Sequence, residues 1–141
     1  MRLLLGVILA ALLGSAGTAA TATAAHRVVS VNPGKVNFGA KSLESFTLKS
    51  TTIRNTSDEP ILLTLTLVRS WDDFSGGWIT STCFDATPLA PGESCTLVEG
   101  FSPSETFLGI KQDQVWLATA TDPESGAVLT MEEIIFLGRA R

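Results

Sequence analysis

The stretch that decides the fold reads Cys83-Phe-Asp-Ala-Thr-Pro-Leu-Ala-Pro91-Gly92-Glu-Ser-Cys95, in which two cysteines flank a turn. Pro91 fixes its own φ near the value that a tight turn requires, and Gly92 tolerates a positive φ. The turn therefore returns the chain and brings Cys95 beside Cys83. Because the chain also begins with an export signal, both thiols are expected in an oxidising compartment, where they form one disulfide.

The first 25 residues have the pattern of a secretory signal peptide. A short basic start, residues 1–2, precedes an apolar run over 3–13 and a small-residue stretch that ends near residue 25. An apolar run of about eleven residues is too short to cross a bilayer as a helix. We expect cleavage near residue 25, one mature domain over 26–141, and no stable membrane insertion of the mature chain. Its location is then secreted or periplasmic, two alternatives that the sequence leaves open.

The mature region alternates in the manner of β-strands and has no stretch with a helical period. In the clearest case, over 61–68, one face carries only aliphatic residues, which we expect in the core: Ile61, Leu63, Leu65 and Leu67. Thr64 and Thr66 fall on the other face. Similar short segments are separated by turn residues such as Asn32-Pro33-Gly34. About seven strands of this kind predict an all-β fold, an antiparallel β-sandwich of the immunoglobulin-like type.

The chain resembles the choice-of-anchor D family of immunoglobulin-like domains, which is related to the Abnormal-spindle and Hydin-type domains. The resemblance rests on motifs in a fixed order: Val36-Asn-Phe38-Gly39, Asn55 before a turn, the cysteine stretch with Thr96, Phe101-Ser-Pro103, and Leu137-Gly138. It covers roughly 28–138. The resemblance implies an exported module that takes part in protein interaction or in envelope or extracellular structure.

Glu99 departs from the alternating pattern, because strict alternation from Cys95 to Phe101 turns its carboxylate inward. A buried carboxylate is costly unless it is paired and hydrogen-bonded. We therefore expect a bulge next to Gly100, or a position at the open rim of the sandwich, to bring Glu99 into solvent. An ion pair with Lys111 is the second alternative.

Charge and residue counts disfavour most catalytic and nucleic-acid functions. The chain has 10 Lys and Arg against 14 Asp and Glu, a net charge of −4, and no run of cations along the sequence that would bind nucleic acid. The single histidine, His26, lies outside the 28–138 body, so no Ser-His-Asp triad is expected. Zinc needs three or four ligands, and a copper site at His26 lacks a second histidine. We expect no enzyme, catalytic residue, cofactor or metal; a small secreted enzyme or copper protein is the least favoured alternative.

A loop rich in aromatic and acidic residues is the candidate for contact with a partner. It contains Trp71, Asp72, Asp73, Phe74 and Trp78, the last after two glycines. Exposed aromatic rings on loops insert into the groove of a protein partner or stack on a sugar. The competing interpretation is that Trp71 and Trp78 cover one end of the core. The sequence thus predicts a protein partner bound by a loop or a strand edge, with carbohydrate binding as the alternative.

Overall fold

The computed structural model describes residues 27–74, 80–85 and 87–141, so residues 1–25, which are predicted to form a signal peptide, His26 and Trp78 lie outside the described residues. The eight described strands are β1 Val29–Asn32, β2 Lys35–Lys41, β3 Thr47–Asn55, β4 Leu62–Arg69, β5 Thr80–Ser81, β6 Ser94–Phe101, β7 Lys111–Thr121 and β8 Val128–Ala140. Two single 3-10 turns, Thr82–Phe84 and Glu105–Phe107, complete the regular structure there. Across these ranges, no helix is long and apolar enough to cross a membrane.

The strands form two four-stranded sheets that pack face to face, which confirms the predicted β-sandwich. The first sheet has the order β1-β3-β6-β5 and the second sheet the order β2-β8-β7-β4. All pairs are antiparallel except β2 with β8, which is parallel. Asn32-Pro33-Gly34 does not close a hairpin. It carries the chain from β1 in the first sheet to β2 in the second, and this change of sheet places β2 beside β8.

Aromatic rings from both sheets fill the centre of the core. The ring centroids of Phe74 and Phe101 lie 4.8 Å apart, and those of Phe38 and Phe101 lie 5.5 Å apart. The ring centroids of Phe136 and Phe38 lie 6.3 Å apart. Gly138 is required by this packing, because a Cβ there would lie 2.6 Å from the Phe101 ring.

The predicted phase of β4 is confirmed over its first half and is wrong at its end. Ile61 and Leu63 are buried and Leu65 packs against the core, while the threonines between them are exposed. Leu67 is 42% exposed. The β4–β7 register shifts between Leu67 and Arg69, so the alternation that buries the earlier residues is interrupted at this end of the strand.

The cysteine stretch folds as predicted. Cys83 in the first 3-10 turn and Cys95 in β6 form a disulfide, with 5.1 Å between their Cα atoms. Gly92 has a φ of 78°, and the Glu93 backbone N–H donates to the Ala90 carbonyl at 3.0 Å to close the turn. The turn thus fixes where β6 begins, opposite the residues that carry Cys83.

The expectation that Glu99 lies in solvent is wrong. Glu99 is fully buried, and the β3–β6 register runs without a shift, so neither a bulge nor the rim accommodates it. Its Oε1 accepts from the Gly100 backbone N–H at 3.2 Å. Lys49 stands directly opposite Glu99 in the β3–β6 pair, hence on the same face. Lys111 is an exposed residue at the start of β7.

Candidate functional site

Asp73, which the sequence presents as an exposed loop acid, is buried and accepts hydrogen bonds from three side-chain and backbone groups. Its Oδ1 accepts from Ser104 Oγ at 2.5 Å, and its Oδ2 accepts from the Ser104 backbone N–H at 3.0 Å and from Gln112 Nε2 at 2.6 Å. The Ser102 backbone N–H donates to the Asp73 carbonyl at 2.8 Å. Hydrogen bonds to a carboxylate are stronger than neutral ones. Asp73 therefore fastens the loop after β4 to the segment between β6 and β7.

Phe74 is also buried, so the candidate loop divides into an inner and an outer part. Phe74 contributes its ring to the core and forms an isolated bridge with Phe101. The premise that Asp73 and Phe74 are exposed is therefore wrong. Asp72 is exposed and Trp71 is half-buried, so these two remain at the surface.

Trp71 packs edge-on against the second 3-10 turn. Its ring centroid lies 5.4 Å from that of Phe107, with the two rings inclined at 87°, and Trp71 also packs against the core. An edge-to-face pair of this kind is stabilising beyond the area that it buries. Trp71 thus covers one end of the sandwich, as the competing interpretation of the sequence had it.

Two aliphatic residues next to Phe107 are held in solvent. Leu108 is 55% exposed and Ile110 is 45% exposed. Gly109 between them donates its backbone N–H to the Ala140 carbonyl at 3.0 Å, which ties this segment to the end of β8. We call Trp71, Asp72, Phe107, Leu108 and Ile110 the loop surface. Sequence reasoning missed its aliphatic part, although the apolar run 107–110 between a proline and Lys111 was a usable signal.

Cations that are scattered along the sequence converge beside the loop surface. Lys111 stands directly opposite Arg139 in the β7–β8 pair, and the Arg141 backbone N–H donates to the Lys41 carbonyl at 2.9 Å. The two ion pairs found in the described part of the chain involve other cations. Pairing of β2, β7 and β8 therefore brings the backbones of four cations near one another, and none of the four takes part in those two ion pairs: Lys41, Lys111, Arg139 and Arg141.

The titratable groups of the described ranges show no arrangement for metal binding or acid–base chemistry at this surface. No cluster of three or more His, Cys, Asp or Glu residues there could hold a metal ion. The pKa of Asp122 is lowered, chiefly because the Ser125 backbone N–H donates to its carboxylate in the β7–β8 turn. The pKa of Arg69 is raised, chiefly by its hydrogen bond to Asp113. Asp122 stabilises the β7–β8 turn, and Arg69 links the end of β4 to β7 close to the loop surface.

Solved structures share this architecture at low sequence identity. The PapD-like domain 7 of human CEP192 superposes with a TM-score of 0.61 over 96% of this chain and 98% of that chain, at 11% identity. A chain of the Salmonella enterica SafA pilin–SafB chaperone complex gives 0.54 over 79% of this chain and 54% of that chain, at 14% identity. The Vibrio cholerae VesB protease gives 0.60 over 80% of this chain but 32% of that chain, at 18% identity.

These likenesses define the class of the protein by fold alone. The chain is an immunoglobulin-like β-sandwich whose fold is similar to that of PapD-like domains, as expected at that coarse level. No protein-family model matches the sequence. No curated protein matches it either.

Proposed function

We propose that this chain is an exported, non-enzymatic immunoglobulin-like module of the choice-of-anchor D type that binds a protein partner. The motif order in the sequence supports the family, and the PapD-like fold supports a role in protein interaction. A disulfide suits the oxidising conditions outside the cytoplasm. In this proposal residues 1–25 are removed, and the mature domain 26–141 acts in the periplasm or outside the cell.

The loop surface is the proposed contact with the partner, and the observation that carries it is the fixed exposure of Leu108 and Ile110. Exposed aliphatic side chains that lie together on a loop are typical of interaction sites. The hydrogen bonds of Asp73 hold the neighbouring segment in one conformation. A contact surface that is already ordered loses less conformational entropy when it binds, which strengthens association.

The composition of this end of the molecule also indicates the chemistry of the partner. Aromatic and aliphatic groups of the loop surface suit an apolar contact, and the adjoining Lys111 and Arg139 suit acidic groups around it. A carbohydrate partner has no comparable support, because Trp71 uses its ring to pack against Phe107. The partner is therefore a protein with an apolar patch bordered by carboxylates.

Affinity purification from the native envelope fraction tests this proposal. The double variant Leu108→Asp/Ile110→Asp places charge in the contact and should lose the partner that the wild-type protein retains. The matched control is Val128→Asp/Leu129→Asp, since these residues are 57% and 43% exposed and start β8 at the opposite end of the sandwich. Equal recovery of the partner with both double variants would contradict the proposal.

A further inference from the structure

The second sheet has two edges, and the chain itself closes the edge at β2. Lys49 Nζ donates to the Asn37 carbonyl at 2.7 Å, and Asn37 Oδ1 accepts from the Gly39 backbone N–H at 2.8 Å. The β2–β8 register also shifts between Asn37 and Gly39. Lysine side chains and bulges are the devices by which natural edge strands resist pairing with another chain.

The edge at β4 also has a register shift, between Leu67 and Arg69, but among the described residues no lysine caps its backbone. From Ile61 to Val68 the chain contains no charged residue, no proline and no glycine. Leu89 occupies the start of this edge, because it exchanges two backbone hydrogen bonds with Ile61, at 2.8 and 3.0 Å. Within the described ranges, the hydrogen bonds of Leu62–Arg69 go to β7, so the outer edge beyond Ile61 makes none. Leu67 is 42% exposed and Val68 is 61% exposed. A long, uncharged and apolar edge is a site to which another strand adds.

A groove runs beside the first half of β4. Leu62–Leu65 form one wall, and Cys83, Phe84 and Asp85 of the disulfide-bonded turn form the other. The Phe84 ring lies 6.1 Å from the buried Trp116 ring and is half exposed. The groove therefore offers an apolar floor at the start of β4, while the exposed Leu67 protrudes near its end.

We propose that β4 pairs edge to edge with β4 of a second copy, antiparallel about a two-fold axis at Leu65. Each copy contributes the four strands of its second sheet to one continuous sheet. The register pairs Leu63 with Leu67 and Thr64 with Thr66. It ends before Ile61, whose outer edge is already bonded to Leu89, and at the register shift after Leu67. Leu67 of each copy then lies beside Leu63 of the other, at the apolar groove, and the two-fold axis makes this contact twice.

A second copy is the occupant because β4 is complementary to itself in this register. Residues directly opposite each other in an antiparallel pair share a face, so threonine meets threonine and aliphatic meets aliphatic. No charge faces a like charge, since Arg69 falls outside the paired span. A two-fold interface uses the same patch on both copies, as this one does. This edge does not include the residues of the loop surface. The dimer can therefore be tested separately from the proposed function.

Sedimentation velocity of the mature secreted protein over a range of concentrations tests the dimer. The wild-type protein should reach twice the mass of one chain. The double variant Thr64→Lys/Thr66→Lys sets like charges opposite each other across the axis and should keep the mass of one chain. Its matched control, Ser50→Lys/Thr52→Lys, adds the same charge to exposed positions of the central strand β3 and should retain the doubled mass.

Leu67→Glu provides a second disruption at an exposed position, in case the lysine variant does not fold. A wild-type protein with the mass of one chain at every concentration would overturn the proposal, including the case in which the monomer binds a strand of another protein. A doubled mass that survives both Leu67→Glu and Thr64→Lys/Thr66→Lys would place the association elsewhere and would also overturn it. Capture of the partner through Leu108 and Ile110 is measured separately and does not enter this result.

Discussion

The two edge strands of the second sheet, β2 and β4, bury similar side chains but meet solvent in opposite ways. Val36 and Phe38 of β2 enter the core, as Leu63 of β4 does. Each strand has a register shift, but Lys49 donates to the outer edge of β2, whereas the outer edge of Leu62–Arg69 makes no hydrogen bond within the described residues. Both edge strands therefore place apolar side chains in the core. The residues that protect or leave open the outer backbone edge differ between the two strands.

The two strands differ in the residues that lie between and beside their buried positions. β2 reads Lys35-Val-Asn-Phe-Gly-Ala-Lys41, with a charge at each end and a glycine that bends the strand. β4 reads Leu62-Leu-Thr-Leu-Thr-Leu-Val-Arg69, with one charge at its last position, where Arg69 donates to Asp113 of β7. A charged strand end resists pairing with a further strand, and an uncharged one permits it.

The largest expected effect sharpens the contrast between the inner face of β2 and the end of β4. Phe38→Ala removes a ring from the centre of the aromatic core and should lower the free energy of unfolding by about 3–5 kcal/mol. Leu67→Ala, at a position exposed in the single chain, should lower it by under about 1 kcal/mol. Chemical denaturation of both variants measures the difference, with each protein dilute enough to be a single chain. Equal losses would contradict the assigned faces of the two strands.

Removal of the disulfide is expected to disturb the edge at β4 and to leave the edge at β2 unchanged. Cys83→Ala/Cys95→Ala opens a loop of about a dozen residues and should lower the free energy of unfolding by about 3 kcal/mol in the chain-entropy model. The turn that carries Cys83 lines the groove beside β4, so the association of two copies should weaken as well. Denaturation and sedimentation of the variant test the two effects, and an unchanged stability would show that the bridge does not hold this turn.

The smallest expected effect concerns the cap on β2. Lys49→Met removes the donor to the Asn37 carbonyl and should cost about 1 kcal/mol, as for a typical hydrogen bond. Amide exchange in β2 should also quicken. Lys49→Arg is the control, because it keeps both a donor and the charge opposite Glu99. Exchange in β2 that is equally slow in all three proteins would show that Lys49 does not close this edge.

Much of the fold could be predicted from residues whose effect is local. Pro91-Gly92 and the two cysteines specify a turn and a bridge, and the alternation after Ile61 specifies which side chains enter the core. Each of these depends on backbone conformation or on a period of two, both of which a single segment determines.

The remaining features depend on partners that are distant in sequence. The buried Asp73 accepts from Ser104 and Gln112, more than thirty residues further along the chain, and the buried Glu99 stands opposite Lys49 of another strand. The general rule that charges avoid the interior therefore gave the wrong answer for both. The parallel β2–β8 pairing likewise requires the two ends of the domain to meet. The alternation of β7 alone could have placed Gln112 in the core, because it lies an even number of residues before Trp116 and so shares its face.

The dependence of amide hydrogen exchange on protein concentration tests the central contrast most directly. If β4 pairs with β4 of a second copy, its outer-edge amides should exchange more slowly as the concentration of the wild-type protein rises. Amides of β2 should keep one rate throughout, since their protection comes from the same chain. Rapid exchange in β4 that is the same at every concentration would contradict the account, because it would show an open edge that no second copy covers.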